Sequence, residues 1–223
     1  MLIKNMRSIF LLCFFAMTAQ LSVAQESFKI TFDFAIDAEG DEAEMAMMMM
    51  QDSKMVLAFK GDKARVHMDM GMMTTTVISH DDSKSGLMLM DMMGMKMAVA
   101  MTEADYKKAL ENQKDPKIEE TGETKTIAGY KCKKAIVTDE DGTKMTIYYT
   151  PDLKPLNKNT EYTYKGIEGM PLEMHTVQEG MTITITATEV VKNNVSDDEF
   201  NLDIPEGYKK MTMQELEQMG GGY

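Results

Sequence analysis

The chain has 223 residues, a formal net charge of −12 and a sequence pI near 4.8, so phosphate backbones and anionic lipid surfaces repel it, which weighs against nucleic-acid binding and electrostatic membrane docking. It contains 27 methionines, two cysteines and no tryptophan. Only Cys132 lies beyond the N-terminal leader, which excludes an internal disulfide, so the core alone must hold the fold.

The leader comes first in chain order. Lys4 and Arg7 form a positive start, Ile9 to Ala16 an apolar run too short to span a bilayer, and Ser22-Val23-Ala24 a small-residue cleavage signal. Residues 1–24 are therefore expected to be a signal peptide cut before Gln25, leaving 25–223 as a single β-rich domain in the periplasm or outside the cell. Removal of Lys4 and Arg7 takes the formal charge from −12 to −14. No second long apolar stretch follows, so no transmembrane segment is expected after cleavage. A domain of this length buries roughly 70% of its unfolded surface without staples.

Period-two alternation dominates the remainder. Phe28, Ile30, Phe32, Phe34 and Ile36 share one face of a first strand, which the acidic stretch Glu39-Gly40-Asp41-Glu42 ends. Strands follow at Lys54 to Lys60, at Lys63 to Met70 after a Gly61-Asp62 turn, and at Met72 to Ser79. Gly86 to Met90 and Met95 to Met101 read as a hairpin around a type I turn, Asp91-Met92-Met93-Gly94. Thr102, with Asp105 three residues on, caps a helix that presents Tyr106, Ala109, Leu110 and Gln113 on one side and stops before Pro116. A second β block covers Glu123 to Ala128, Tyr130 to Asp139, Thr143 to Thr150, Thr160 to Lys165, Pro171 to Glu179 and Met181 to Lys192. A short C-terminal helix begins at Thr212, where Glu215 completes a capping box. The expected fold is mainly β: one curved antiparallel sheet, or half-open barrel, with a covering helix, a short C-terminal helix and no parallel crossover.

Ile127-Ala128-Gly129-Tyr130-Lys131-Cys132-Lys133, following the methionine-rich hairpin, resembles one of the exported bacterial families built on a domain of unknown function. The ending Phe200-Asn201-Leu202-Asp203-Ile204-Pro205-Glu206-Gly207-Tyr208 is similar to endings in the lipoprotein-carrier superfamily. That resemblance implies a half-open barrel whose concave side holds helices and, in the carriers, lipid acyl chains.

Methionine is the strongest chemical signal. Thioethers are soft ligands suited to Cu(I), and Met68, Met70 and Met72 form the alternative metal set. On a strand Met68 and Met70 share a face about 7 Å apart, so they cooperate only if another strand supplies a further ligand. Methionine as strand filler, or as the lining of a pliable pocket, ranks ahead of metal. His67, His80 and His175 are too scattered for a zinc set, and no HExxH, GxSxG or phosphate-binding glycine loop occurs. Lys131 and Lys133 point away from Cys132 on a strand, which favours a buried structural thiol.

The expected function is thus non-enzymatic and needs no cofactor: an exported binding or carrier module for a hydrophobic ligand such as a lipid chain. Its binding set is Met95, Met97, Val99 and Met101 on the hairpin, facing Tyr106 and Leu110 on the helix. The other two readings are Cu(I) sequestration and an envelope protein with no small ligand.

Overall fold

The computed structural model describes residues 26–37, 52–112, 116–140, 142–157, 166–178 and 181–219, with backbone alone at 109–112. The leader at 1–24, the Glu39–Glu42 break, Met45–Met50, Gln113 and the strand expected at 160–165 lie outside the described residues, as do the side chains of Ala109 and Leu110.

Alternation becomes strand along nearly the whole chain. The first block is β1 (Ser27–Asp37), β2 (Lys54–Lys60), β3 (Lys63–Asp69), β4 (Met73–His80), β5 (Ser85–Met92) and β6 (Met95–Met101). Helix α1 (Glu103–Asn112) follows, then β7 (Lys117–Ile127), β8 (Tyr130–Thr138), β9 (Lys144–Thr150), β10 (Met170–Gln178) and β11 (Met181–Lys192). A 3-10 turn (Asp197–Phe200), β12 (Lys209–Met211) and α2 (Met213–Gln218) complete the described chain. All twelve strands form one open sheet in the order β12-β6-β5-β4-β3-β2-β1-β11-β10-β9-β8-β7. β1 is the seam between two meanders: β2 to β6 step outward on one side, and β7 to β11 return from the far edge on the other.

Two expectations need correction. β12 runs parallel to β6, Lys209 beside Met97 and Met211 beside Val99, because the chain after β11 first crosses the sheet. The turn in the methionine hairpin is not type I. Met92 pairs with Met95, leaving Met93 and Gly94 as a two-residue loop with φ of 51° and 88°. Positive φ at both central residues is the type I′ turn, whose twist matches that of the strands it joins. Asp91 still serves it, since its Oδ1 accepts the Gly94 N–H at 2.9 Å.

Directly paired residues project from the same face. Register therefore traces one apolar line through Val190, Ile30, Leu57, Val66, Val77, Met88 and Val99. This is the inner face. The sheet rolls about it: β7 and β11 bring Cα atoms within 8 Å although three strands separate them. At about 4.8 Å per strand, a flat sheet would hold them roughly 19 Å apart. Rolling joins the two meanders in one core, with Phe28, Ile30, Phe32, Leu57 and Phe59 packed with Val137, Ile147, Leu172 and Met174. The outer face carries a smaller cluster, in which Phe200 and Val195 cover Ala58 and Ile78. Lys29–Glu199 and Lys60–Asp197 ion pairs, at 2.7 and 2.9 Å, flank it.

Candidate functional site

The inner face of β1 states the geometry of the site. Phe28, Ile30 and Phe32 are buried, whereas Phe34 and Ile36 further along the same face are half-buried. Neighbouring strands repeat the gradient. Val66, Met68, Met145 and Ile185 pack on the core and remain partly accessible. One end of the inner face is thus sealed and the other half-exposed.

Three contacts seal the first end. Phe28 and Phe59 bring their ring centroids to 5.0 Å. Leu153, from the loop after β9, enters the core, and the buried Asn157 Nδ2 donates to the Asp62 carbonyl at 2.7 Å and to Ser79 Oγ at 3.2 Å. That amide ties the second meander to the first, and burial in a polar-poor setting strengthens the bonds it makes. Tyr106 of α1 adds the third contact, its hydroxyl donating to the Ser85 carbonyl at 3.2 Å. Burial holds this phenol above its ordinary pKa, so it remains a donor at neutral pH.

The described members of the expected binding set fall at different places on the inner face. Met97 and Val99 are buried in one cluster with Met88, Met90 and Leu216 of α2, and Met211 and Met213 pack against it. Parallel pairing of β12 beside β6 delivers α2 to that position. Among the described side chains, α1 meets the hairpin at its base, where Tyr106 and Met101 converge on Gly86. A Cβ there would lie 2.5 Å from the Met101 methyl and 2.7 Å from the Tyr106 hydroxyl. Met95 is 62% exposed, at the half-exposed end. Of the alternative metal set, Met68 faces inward, while Met70 and Met72 belong to the β3–β4 turn.

The remaining chemistry-bearing groups lie away from that gradient or are engaged with partners inside the fold. The Cys132 thiol is fully buried and pushed up to about 11, chiefly by desolvation, which removes the thiolate needed for reactivity. Arg65 pairs with Ala58 and Ile78 and so sits on the outer face, away from the apolar gradient. A polar cluster that periodicity does not reveal forms where β7, β9, β10 and β11 converge. The buried Glu173 carboxylate bonds both Lys125 Nζ and His175 Nε2, and Lys125 Nζ sits 4.0 Å from the Tyr148 ring centroid. His175 Nδ1 lies 3.0 Å from Thr184 Oγ1, so both imidazole nitrogens are engaged. Among the described residues, no three His, Cys, Asp or Glu side chains are grouped to hold a metal ion, and no helix is long and apolar enough to cross a membrane.

Residues 39–160, more than half of the chain, match the family described as "Domain of unknown function (DUF4412)". No curated protein matches by sequence. Among solved structures, PNGF-II is similar at 16% identity and a TM-score of 0.53 over 88% of this chain; the chain spans 33% of that protein's length. An uncharacterised conserved protein from Thermus thermophilus gives 9% identity and 0.48, covering 85% of this chain and 91% of its own. The MucA/MucB complex structure from Pseudomonas aeruginosa gives 12% identity and 0.42, over 81% of this chain and 56% of the matched one. The likeness to PNGF-II is one of fold.

Proposed function

The chain belongs to the DUF4412 family, and we propose that it is an exported, non-catalytic module that holds an apolar ligand, such as a lipid chain, against the half-exposed end of its inner face. The observation that carries this reading is the burial gradient along β1, from buried Phe28, Ile30 and Phe32 to half-buried Phe34 and Ile36. An apolar residue left half in water retains transfer free energy that a ligand can collect, at about 25 cal/mol per Å² covered. The accessible part of Phe34, Val66, Met68, Met145 and Ile185 supplies a floor for a chain of variable shape, with two methionines to adapt to it. Met97 and Val99 close the β6 flank under Leu216, Met95 stands at the rim, and Met101 with Tyr106 closes the base.

Mass spectrometry of an organic extract from the purified chain is the primary test, with uptake of a hydrophobic fluorescent probe as the second. A stoichiometric lipid, or probe binding lost in Phe34→Asp with the β-type circular dichroism retained, is the expected result. An empty extract together with no probe binding by the wild type overturns the reading. Export is checked separately, by N-terminal sequencing of the mature protein, which should begin at Gln25.

A further inference from the structure

Methionine as filler accounts for buried Met55, Met88, Met90 and Met97. It does not account for the exposed ones. Among the described residues, five of the seven exposed large hydrophobics are methionines: Met219 after α2, and Met72, Met92, Met93 and Met95 at the two hairpin tips, at 52, 40, 78 and 62% exposure. At such positions a thioether gains little from burial, and a polar residue would serve solubility better.

Register shows what the exposed end assembles. Met92 pairs with Met73 on one side and with Met95 on the other. Met70 donates its N–H to the Met73 carbonyl at 2.9 Å, closing the two-residue Gly71–Met72 turn with Met70 opposite Met73. Met70, Met73, Met92 and Met95 therefore form a single rung across the ends of β3, β4, β5 and β6. They share the inner face with Met68, Met90 and Met97 one rung behind. The two hairpin tips are also stapled together, the Met93 N–H donating to the Met72 carbonyl at 3.1 Å. Directly opposed side chains start about 4.5–5.5 Å apart at Cβ, and methionine has three rotatable bonds with which to converge its sulfur. Strand pairing thus provides the neighbouring thioethers that Met70 lacks within its own strand.

We propose that this rung is a site for a soft monovalent cation, Cu(I) or its redox-inert counterpart Ag(I), held by the thioethers of Met70, Met73, Met92 and Met95. Thioether sulfur is among the ligands that select Cu(I) over harder cations. Two further thioethers, Met72 and Met93, flank the rung at the tips and offer a route for the ion to arrive and leave. Because no ligand carries a proton to be displaced, affinity is independent of pH, unlike a thiolate or imidazole site.

The test is competition of the purified chain with a chromophoric Cu(I) chelator under reducing conditions, from mildly acidic to neutral pH. It is paired with Ag(I) titration followed at the methyl resonances of 13C-labelled methionine. The wild type is expected to withdraw one equivalent of Cu(I) equally across that pH range, with a discrete set of methyl signals shifting. The combined variant Met70→Leu, Met73→Leu and Met92→Leu keeps the rung apolar and is expected to lose this capture while still taking up the hydrophobic probe. Should that variant misfold, the single exposed change Met95→Leu is expected to weaken capture without altering thermal unfolding. A wild type that leaves Cu(I) with the chelator overturns the proposal. So does undiminished capture by a folded variant, or a loss of affinity with falling pH.

Discussion

At the end of the inner face where β2 turns into β3, Phe28 meets Phe59, Leu153 joins the same core, and Asn157 binds Asp62 and Ser79 across the roll of the sheet. At the opposite end the same strands present Phe34, Ile36 and Met68 half-buried, then a rung of methionines whose outer members are mostly exposed. The alternating pattern is the same at both ends. The ends differ in which distant segments pack upon them: the 151–157 loop and Tyr106 serve the first, and the described residues place no equivalent at the second. The first end stabilises the fold, and the second is left with apolar surface that a ligand can cover.

The sharpest way to break that comparison is to truncate one phenylalanine at each end. Phe32→Ala removes a fully buried ring and is expected to cost about 3–5 kcal/mol, enough to threaten folding. Phe34→Ala, two residues along on the same face, should cost about half as much or less, because part of its ring is already in water. Chemical denaturation of both variants measures the difference, and equal losses would abolish the distinction between the ends.

Gly86→Ala probes the sealed base. The new Cβ would meet the Ile78 carbonyl at 2.6 Å as well as Met101 and Tyr106, so overpacking should cost about 1–3 kcal/mol. The pairing of Tyr106→Phe with Gly86→Ala sharpens this, since removal of the hydroxyl relieves one of the three contacts. The double variant should unfold at a higher denaturant concentration than the sum of the single losses predicts.

Thr212→Ala acts on the flank. Thr212 Oγ1 accepts the Glu215 N–H at 3.2 Å, and Glu215 Oε2 accepts the Thr212 N–H at 2.7 Å, so loss of the hydroxyl should cost about 1 kcal/mol. Hydrogen exchange should quicken first in α2 and then in β6, as Leu216 loosens from Met97 and Val99.

The smallest effect is a pH dependence on the outer face. Desolvation, with Arg65 adding to it and Asp69 opposing, holds the His67 imidazole below its ordinary pKa, and Nδ1 lies 2.8 Å from Thr76 Oγ1. The unfolded chain therefore binds this proton more readily than the folded one. The contribution to stability is fully present above the ordinary imidazole value of roughly 6.5 and declines as pH falls through it. His67→Gln should flatten the stability profile in that window relative to wild type, measured by denaturation at several pH values. An unchanged slope would remove His67 from the account.

Much of the scaffold was legible because it is written in local terms. Alternation placed β1, β2, β3 and β11 to within a residue or two, and Thr102–Asp105 and Thr212–Glu215 announced both helix starts. The Met93–Gly94 turn was read as type I because Asp at the first position and Gly at the fourth fit it. Strand twist decided for the primed form, at the cost of a positive φ on Met93. Leu216, more than a hundred residues from Met97 and Val99, packs with them, and no local pattern announces that contact. Short connection length carries no information about a strand that returns from the far side of the sheet.

What the residues determined by themselves is the identity of the two surfaces: period two puts Phe28, Ile30, Phe32 and Phe34 on one side and Lys29 and Asp33 on the other, because a pleated backbone allows no other arrangement. Tertiary structure alone decided how far each apolar row is buried and which methionines stand together. The roll that brings β7 toward β11, and the parallel docking of β12, are set by the sum of weak contacts between segments remote in sequence. So too is the rung of Met70, Met73, Met92 and Met95: three lie at the ends of their strands and Met70 one residue beyond β3, and only the hydrogen-bond register across the hairpins aligns them.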